Sequence, residues 1–291
     1  MEFAGVSAIV TGGAGGLGAA VVARFVALGA SVVLVDRDER RSLEVAEAVG
    51  GTGAVGGAAV GSGPGTVSVV VGDALDDATV HEAIDAARSL GRLSVLVNLA
   101  GGAVGGGSTV RGDATPHSQG SFVDTLMLNV AGTFNVARLV AAAMAHDAGT
   151  MAHDAGAASA EGAGAASADG TEVPERGVII NTASIAAFEG QRGQVAYAAA
   201  KAAIVGMTLP MARDLAPFGI RVCTIAPGPM ATPVMERVLD KLEVDPAKGV
   251  VFPKRMGDPA EFALAVEMIV RNPYLNGETI RLDAALRLAG G

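Results

Sequence analysis

Tyr197 and Lys201 set a phenol and an ammonium four residues apart. That spacing puts two side chains on one face of a helix, one turn apart. A free phenol ionises near about 10, and a fixed positive charge beside it favours the ionised form. Such a pair can exchange a proton with a bound oxygen near neutral pH. Taken alone, the same two residues also fit an ordinary surface helix; two upstream features weigh for chemistry. The first is Thr11-Gly12-Gly13-Ala14-Gly15-Gly16-Leu17-Gly18, after an apolar run and before an amphipathic one. Glycine permits a tight turn and removes side chains between backbone and a pyrophosphate. The helix that follows turns its N–H groups and positive dipole end toward the phosphates. The second is Asp36, an acid about 20 residues on, at the end of the next apolar run. Its carboxylate can accept hydrogen bonds from both ribose hydroxyls and would repel a 2′-phosphate. Arg37 follows and would soften that rejection, so NAD is expected over NADP. The other reading of Asp36 is a solvated charge in the run Asp36-Arg37-Asp38-Glu39-Arg40.

These residues need a scaffold, and the pattern around them supplies one. Short β-branched runs at 7–10, 31–36, 67–71, 94–98, 177–182, 220–226 and 279–282 read as strands. Amphipathic stretches at 16–28, 39–49, 79–90, 122–145, 195–215 and 259–271 read as the helices between them. Near-continuous Val, Ile and Leu suit strands buried on both faces. The expectation is an α/β chain: a single domain over 1–291 with a Rossmann-type, doubly wound parallel sheet of about seven strands. Two Gly-rich segments, 50–65 and 101–120, read as loops. A third, at about 145–176, is low in complexity and holds a tandem copy, Met144-Ala145-His146-Asp147-Ala148-Gly149 followed by Met151-Ala152-His153-Asp154-Ala155-Gly156. It reads as a flexible insertion, since two copies are too few for a solenoid.

Composition narrows the function. The net charge of −9 disfavours nucleic-acid binding, which needs a basic face. Half of the residues are hydrophobic, yet no uninterrupted apolar stretch of about 18 reads as a membrane span. The start, Met1-Glu2-Phe3-Ala4-Gly5, has no basic segment before an apolar one, so no secretory leader is expected and the cytoplasm is the expected compartment. The single cysteine, Cys223, lies in an apolar run and reads as a buried small side chain. The histidines at 81, 117, 146 and 153 lack zinc-site spacing, and no metal is expected.

Five motifs in order carry a resemblance: the glycine turn as Thr-Gly-x-x-x-Gly-x-Gly, Asn98-Leu99-Ala100-Gly101, Ser184, Tyr197-Ala198-Ala199-Ala200-Lys201, and Pro227-Gly228. Together they resemble the short-chain dehydrogenase/reductase family over almost the whole chain. Within it, Asn181-Thr182-Ala183-Ser184-Ile185-Ala186-Ala187-Phe188-Glu189-Gly190-Gln191 and the ending Asn276-Gly277-Glu278-Thr279-Ile280-Arg281-Leu282-Asp283 are similar to type II 3-hydroxyacyl-CoA dehydrogenases, also called 17β-hydroxysteroid dehydrogenase type 10. The second position of the Asn98 motif departs from the usual Asn, being Leu99.

The resemblance implies hydride transfer between a secondary alcohol and nicotinamide, with Tyr197 as general acid/base. Lys201 lowers the phenol's pKa and binds the nicotinamide ribose, and Ser184 holds the substrate oxygen. Asn129 completes a tetrad by holding a water for proton relay. The other readings are a cap for Ser184 and a satisfied buried amide for Asn129. Gly12, Gly16, Leu17 and Gly18 are assigned to the cofactor, with Asp36, Asp73 and Ala74 at the adenosine and Asn98, Ala100 and Gly101 beside it. Pro227, Gly228 and Thr232 reach the nicotinamide, and Gln191 is a substrate contact. The segment 230–251, with Met230, Val234, Met235 and Val238, is expected to cover an apolar acyl or ring-bearing substrate. The expected reaction is 3-hydroxyacyl-CoA to 3-oxoacyl-CoA with NAD, by a homotetramer. The alternatives are a 3-oxoacyl-carrier-protein reductase, a hydroxysteroid or other alcohol dehydrogenase and, in a different class, a non-catalytic dinucleotide sensor.

Overall fold

The computed structural model describes residues 1–50, 65–154, 173–233, 235 and 247–288, with the backbone alone for 148–154. Seven parallel strands form one sheet: β1 (Val6–Thr11), β2 (Ser31–Asp36), β3 (Val67–Val71), β4 (Arg92–Asn98), β5 (Gly177–Thr182), β6 (Ile220–Pro227) and β7 (Thr279–Leu282). Their order is β3-β2-β1-β4-β5-β6-β7. The chain runs outward from β1 to β3, then returns to lay β4 on the other side of β1. That reversal opens a crevice beyond the carboxyl ends of β1 and β4, where ligands bind in sheets of this kind.

The period-two alternation of the strands divides the core between two faces. Ala8, Val10, Val32, Leu34, Val95, Val97, Val178, Ile180, Cys223 and Ile225 point to one face. There they meet Val22 and Phe25 of α1 (Gly16–Ala27) and Phe262, Val266 and Ile269 of α7 (Pro259–Arg271). Ile9, Val33, Val35, Leu96, Ile179 and Val222 point to the other. That face carries α3 (Asp77–Leu90), α5 (Gly132–Asp154) and α6 (Val195–Leu215), through Ile84, Val136, Val140 and Ala212. Helix α2 (Glu39–Ala48) joins the first face through Ala46.

Helix starts follow side-chain capping. Asp38 accepts from Arg41 N before α2, and Asp76 from Ala78 and Thr79 N before α3. Asp258 and Glu261 form a reciprocal capping box at α7. The long helix expected over 122–145 differs in three respects. It begins earlier as α4 (Gln119–Leu126), passes through a π-helical turn (Met127–Ala131), and continues as α5 to Asp154. The first part of the expected insertion is therefore helical. Its centre, 155–172, lies outside the described residues, as do most of the expected 50–65 loop and Val234 and Val238.

Two helical stretches, Gln119–Asp147 and Val195–Phe218, are long and apolar enough by composition to cross a bilayer. The interrupted apolar runs of the sequence predict no such span. Both pack on the sheet in this fold, and central helices of layered α/β proteins reach that hydropathy because one side is core. Cys223 is buried, as expected.

Arg221 ties β6 to the end of α7. It is 6% exposed and donates to Glu175 Oε1 at 2.7 and 2.8 Å and to the carbonyls of Ile269, Leu275 and Val270 at 2.9, 2.8 and 3.1 Å. Removing one partner of a buried ion pair leaves the others unsatisfied. Arg221→Met is expected to lower unfolding free energy by about 3 kcal/mol, read as a lower urea midpoint at unchanged slope. An unchanged midpoint would show that water replaces the guanidinium.

Candidate active site

The crevice at the sheet's reversal is built by close backbone approach. Gly12 has φ +67°, and a Cβ there would stand 2.7 Å from Ala100 N. At Gly18 a Cβ would meet Gly12 O at 2.2 Å, and at Gly16 the Thr232 Cβ at 2.8 Å. Three segments far apart in sequence thus touch only because these residues lack side chains. A polar ladder holds the strand ends beneath them. Thr11 Oγ1 donates to Asn98 Oδ1 at 3.2 Å, and Asn98 Nδ2 donates to Asn181 Oδ1 at 3.0 Å. Thr11 Oγ1 also accepts from Leu99 and Ala100 N at 3.3 Å. Asn98 is therefore turned into the sheet; it positions the crevice without lining it. Leu99 packs against the core of the α1 face.

A cavity of about 190 Å³ occupies the crevice, with Gly12, Asp36, Asp73, Ala74, Ala100 and Gly101 in its lining. Asp36 accepts from Ala14 N and Asp38 N, each at 3.1 Å, one on each carboxylate oxygen. Arg37 pairs with Asp73 at 3.6 Å across the mouth, and Asp73 accepts from Leu75 N at 2.9 Å. Asn135 Nδ2 holds the Ala74 carbonyl at 3.1 Å. The sequence reading missed Asn135, although the clue used for Asn129, an amide inside a helix where it is a poor former, is present there too.

On the other side of β4, α6 carries Tyr197 and Lys201. Lys201 is 5% exposed; its Nζ donates to Thr182 O at 3.0 Å and lies 5.6 Å from the Tyr197 ring centroid. Burial pushes its pKa down to about 8. Burial also raises Tyr197, while the hydrogen bond with Ser184 pulls it the other way. Burial of the phenol thus works against the acidification expected from Lys201. Desolvation drives both groups toward neutrality, and the ammonium is engaged by a backbone carbonyl. Ser184 begins a 3-10 turn over Ile185–Ala187, accepting from Ala186 N at 3.2 Å. It therefore caps that turn, as one of its two readings expects, and meets the phenol as well.

Asn129 sits inside the π-helical turn and is fully buried. Its Nδ2 donates to Gly102 O at 2.7 Å and Thr125 O at 2.8 Å, and its Oδ1 accepts from Gly102 N at 3.1 Å. The amide is thus satisfied by backbone and pins the loop after β4. A Cβ on Gly101 would lie 2.7 Å from Asn129 Oδ1 and 3.4 Å from Lys201 Nζ, so this glycine lets the loop lie close to both the amide and the ammonium. π-Turns are frequent at functional sites.

The remaining expected residues divide. Thr232 backs onto Gly16, and its Oγ1 accepts from Met235 N at 3.3 Å, which brings it to the crevice. Pro227 ends β6, and Gly228 N bonds Leu282 O at 2.9 Å on β7. Leu17 lies partly buried against the core. Gln191 is apart from the crevice, in an open trough before α6. Met230 is buried next to Gly257. Bare backbone at the turn, a carboxylate fixed by two N–H groups and a phenol beside an ammonium suit a dinucleotide and an alcohol oxygen together.

Comparison with known proteins agrees with this geometry. The family model described as short chain dehydrogenase matches residues 7–153 and 166–243. The 3-hydroxyacyl-CoA dehydrogenase type-2 of Rattus norvegicus is 43% identical over 285 residues, covering 98% of this chain and 96% of that protein. The Homo sapiens protein of the same name has the same identity and coverage. The crystal structure of 3-hydroxyacyl-CoA dehydrogenase type-2 from Mycobacterium avium superposes with a TM-score of 0.80 at 41% identity, covering 100% of both chains.

The lowered Lys201 pKa carries a stability signature. Between about 8 and the ordinary 10.5, the unfolded chain holds a proton that the folded chain has released, so stability rises with pH. Above the phenol's ordinary 10.0, the raised Tyr197 acts in the opposite sense. Relative to Lys201→Met, the wild-type protein should therefore gain stability from pH 8 to pH 10, followed by urea denaturation at each pH. Parallel curves would show that the ammonium is solvated.

Proposed function

The chain belongs to the short chain dehydrogenase family, and on that footing we propose that it is an NAD-dependent 3-hydroxyacyl-CoA dehydrogenase. An oxidoreductase that uses a nicotinamide dinucleotide follows from the family itself. The observation that carries the finer reading is the meeting of Ser184, Tyr197 and Lys201 beside the Gly101–Asn129 contact. The names borne by the similar proteins favour the acyl-CoA substrate. NAD is favoured over NADP because Asp36 presents a carboxylate held by two backbone N–H groups, which suits ribose hydroxyls and disfavours a 2′-phosphate.

The cofactor, when bound, supplies a hydride acceptor or donor. The rest falls to this chain's own residues. The glycine turn and Asp36 hold the pyrophosphate and ribose ends. Ser184 orients the substrate oxygen toward Tyr197, whose hydroxyl takes up or returns the proton. The Lys201 ammonium, near its own pKa at neutral pH, stabilises the phenolate as it forms. Burial leaves both groups less solvated, so each electrostatic contact in the site counts for more than it would in water. Asn129 and the bare Gly101 hold the loop that keeps this space open.

A homotetramer is part of the proposal. Val123 and Met127 on α4 and its π-turn, Phe134 on α5, and Val195 and Leu209 on α6 are large, apolar and exposed on the chain by itself, as faces that pair with further copies would be.

Two measurements test the reading. NADH oxidation with acetoacetyl-CoA should fall by about a thousandfold in Tyr197→Phe, with NADH affinity by fluorescence titration nearly unchanged. Retained turnover would remove Tyr197 from its role, and failure with every acyl-CoA but success with a hydroxysteroid would transfer the substrate assignment. Asp36→Ala should shift the ratio of NADP to NAD turnover upward by about tenfold. An unchanged ratio would mean that the ribose is read elsewhere.

A further inference from the structure

An open trough beside the catalytic helix deepens the acyl-thioester reading above and rests on it. One wall is formed by residues 190–195 together with Ala198, next to Tyr197, and the other by residues 107–110. Between them lie about 620 Å³. The walls are tied together, since Gly107 N donates to Gly193 O at 3.1 Å. Gly193 at φ +84° and Gly107 at φ +150° adopt conformations that side-chain-bearing residues rarely take. Gln194 Oε1 accepts from Gln191 N at 3.0 Å and closes the turn that presents Arg192. The trough is thus a built feature of the backbone, lined by the hydroxyl-bearing Ser108 and Thr109 and by the amide of Gln191.

Charge sets the occupant. The whole chain carries −9 and repels a polyanion, so binding one requires a local cation. Arg192 is exposed in the trough lining, and among the described residues its guanidinium has no ion pair. The neighbouring carboxylate does not neutralise it. Glu189 is committed to Arg281 at 2.8 Å, Arg287 at 3.4 Å and Leu288 N at 2.8 Å. On the facing loop Arg111 follows Val110, also exposed and without an ion pair among the described residues. The Asp113 carboxylate there accepts from Thr115 N at 2.9 Å.

We propose that this trough seats the phosphate-bearing pantetheine handle of an acyl thioester, and that Arg192 anchors its phosphate. The acyl end then lies toward Tyr197, five residues along the chain, a span of at most about 17 Å even if fully extended. The pantetheine amides and hydroxyl find Ser108, Thr109 and Gln191 on the way. A guanidinium matches phosphate oxygens two at a time, which a lysine cannot do. The same handle occurs in free coenzyme A and on a carrier protein, and the two sources share this chemistry.

The test uses three acetoacetyl thioesters with NADH: the coenzyme A ester, the carrier-protein ester, and the N-acetylcysteamine ester, which keeps the reacting atoms and lacks phosphate. Arg192→Ala is expected to raise KM for a phosphate-bearing ester about fivefold at unchanged kcat, leaving KM for the N-acetylcysteamine ester as it was. Arg192→Lys should recover part of the loss, and added salt should narrow the difference between wild type and Arg192→Ala. A rise confined to one phosphate ester supports the anchor and identifies its source. An equal rise for the phosphate-free ester, or no rise for either phosphate ester, overturns the anchor alone. Failure of the wild-type protein to reduce any of the three overturns the thioester reading and this inference with it.

Discussion

The site rests on backbone meeting backbone where no side chain intervenes. Gly12 against Ala100 and Gly18 against the Gly12 carbonyl are contacts that a single methyl would break, and bare Gly101 likewise leaves room for the Asn129 amide oxygen. Sheet topology makes them necessary. The reversal between β1 and β4 brings the two loops together above the strand ends, and only bare α-carbons let them close to contact. The Thr11–Asn98–Asn181 ladder beneath then fixes the strand ends relative to one another. Everything that faces the crevice, from Asp36 to Lys201, takes its position from that junction.

Placing an ammonium and a phenol inside such a junction works against solvation. Both lose water, and both proton affinities move toward the neutral species. The fold offsets part of this with directed hydrogen bonds, the Thr182 carbonyl for Lys201 and the Ser184 hydroxyl for Tyr197. A lysine whose proton leaves near about 8 is sensitive to its neighbours, as suits a group assisting proton transfer at neutral pH. Such perturbed groups also occur in purely structural networks. Here they sit at the end of the same crevice as the glycine turn and Asp36, which gives them a shared ligand.

The chain's acidity and its local cations play separate roles. The net charge of −9 bears on solubility and on which polyanions are turned away, whereas recognition depends on which basic groups remain unpaired. Several arginines are tied into the fold: Arg221 into the end of α7, Arg281 to Glu189 and Asp283, Arg255 to Glu261. Arg192 differs: among the described residues it has no ion pair, and it lies in an open trough beside the catalytic helix.

Much of this was legible in residue order because the signals are local. Strands β2, β3, β5 and β7 and helices α6 and α7 begin and end where the apolar periods do, since pleat and helix pitch act over a few residues. The glycine turn, Asp36 and the Tyr197–Lys201 spacing could be read for the same reason. Tertiary structure alone decided what those groups meet. It turned Asn98 into the sheet, gave the Asn129 amide to Gly102, set the Lys201 ammonium on the Thr182 carbonyl and reversed the expected shift of the phenol. It also carried α5 on to Asp154 and joined residues 107 and 193 into one trough. Desolvation and long-range hydrogen bonds depend on which distant segments pack against a residue, and that information lies in the folded contacts rather than in any short stretch of chain.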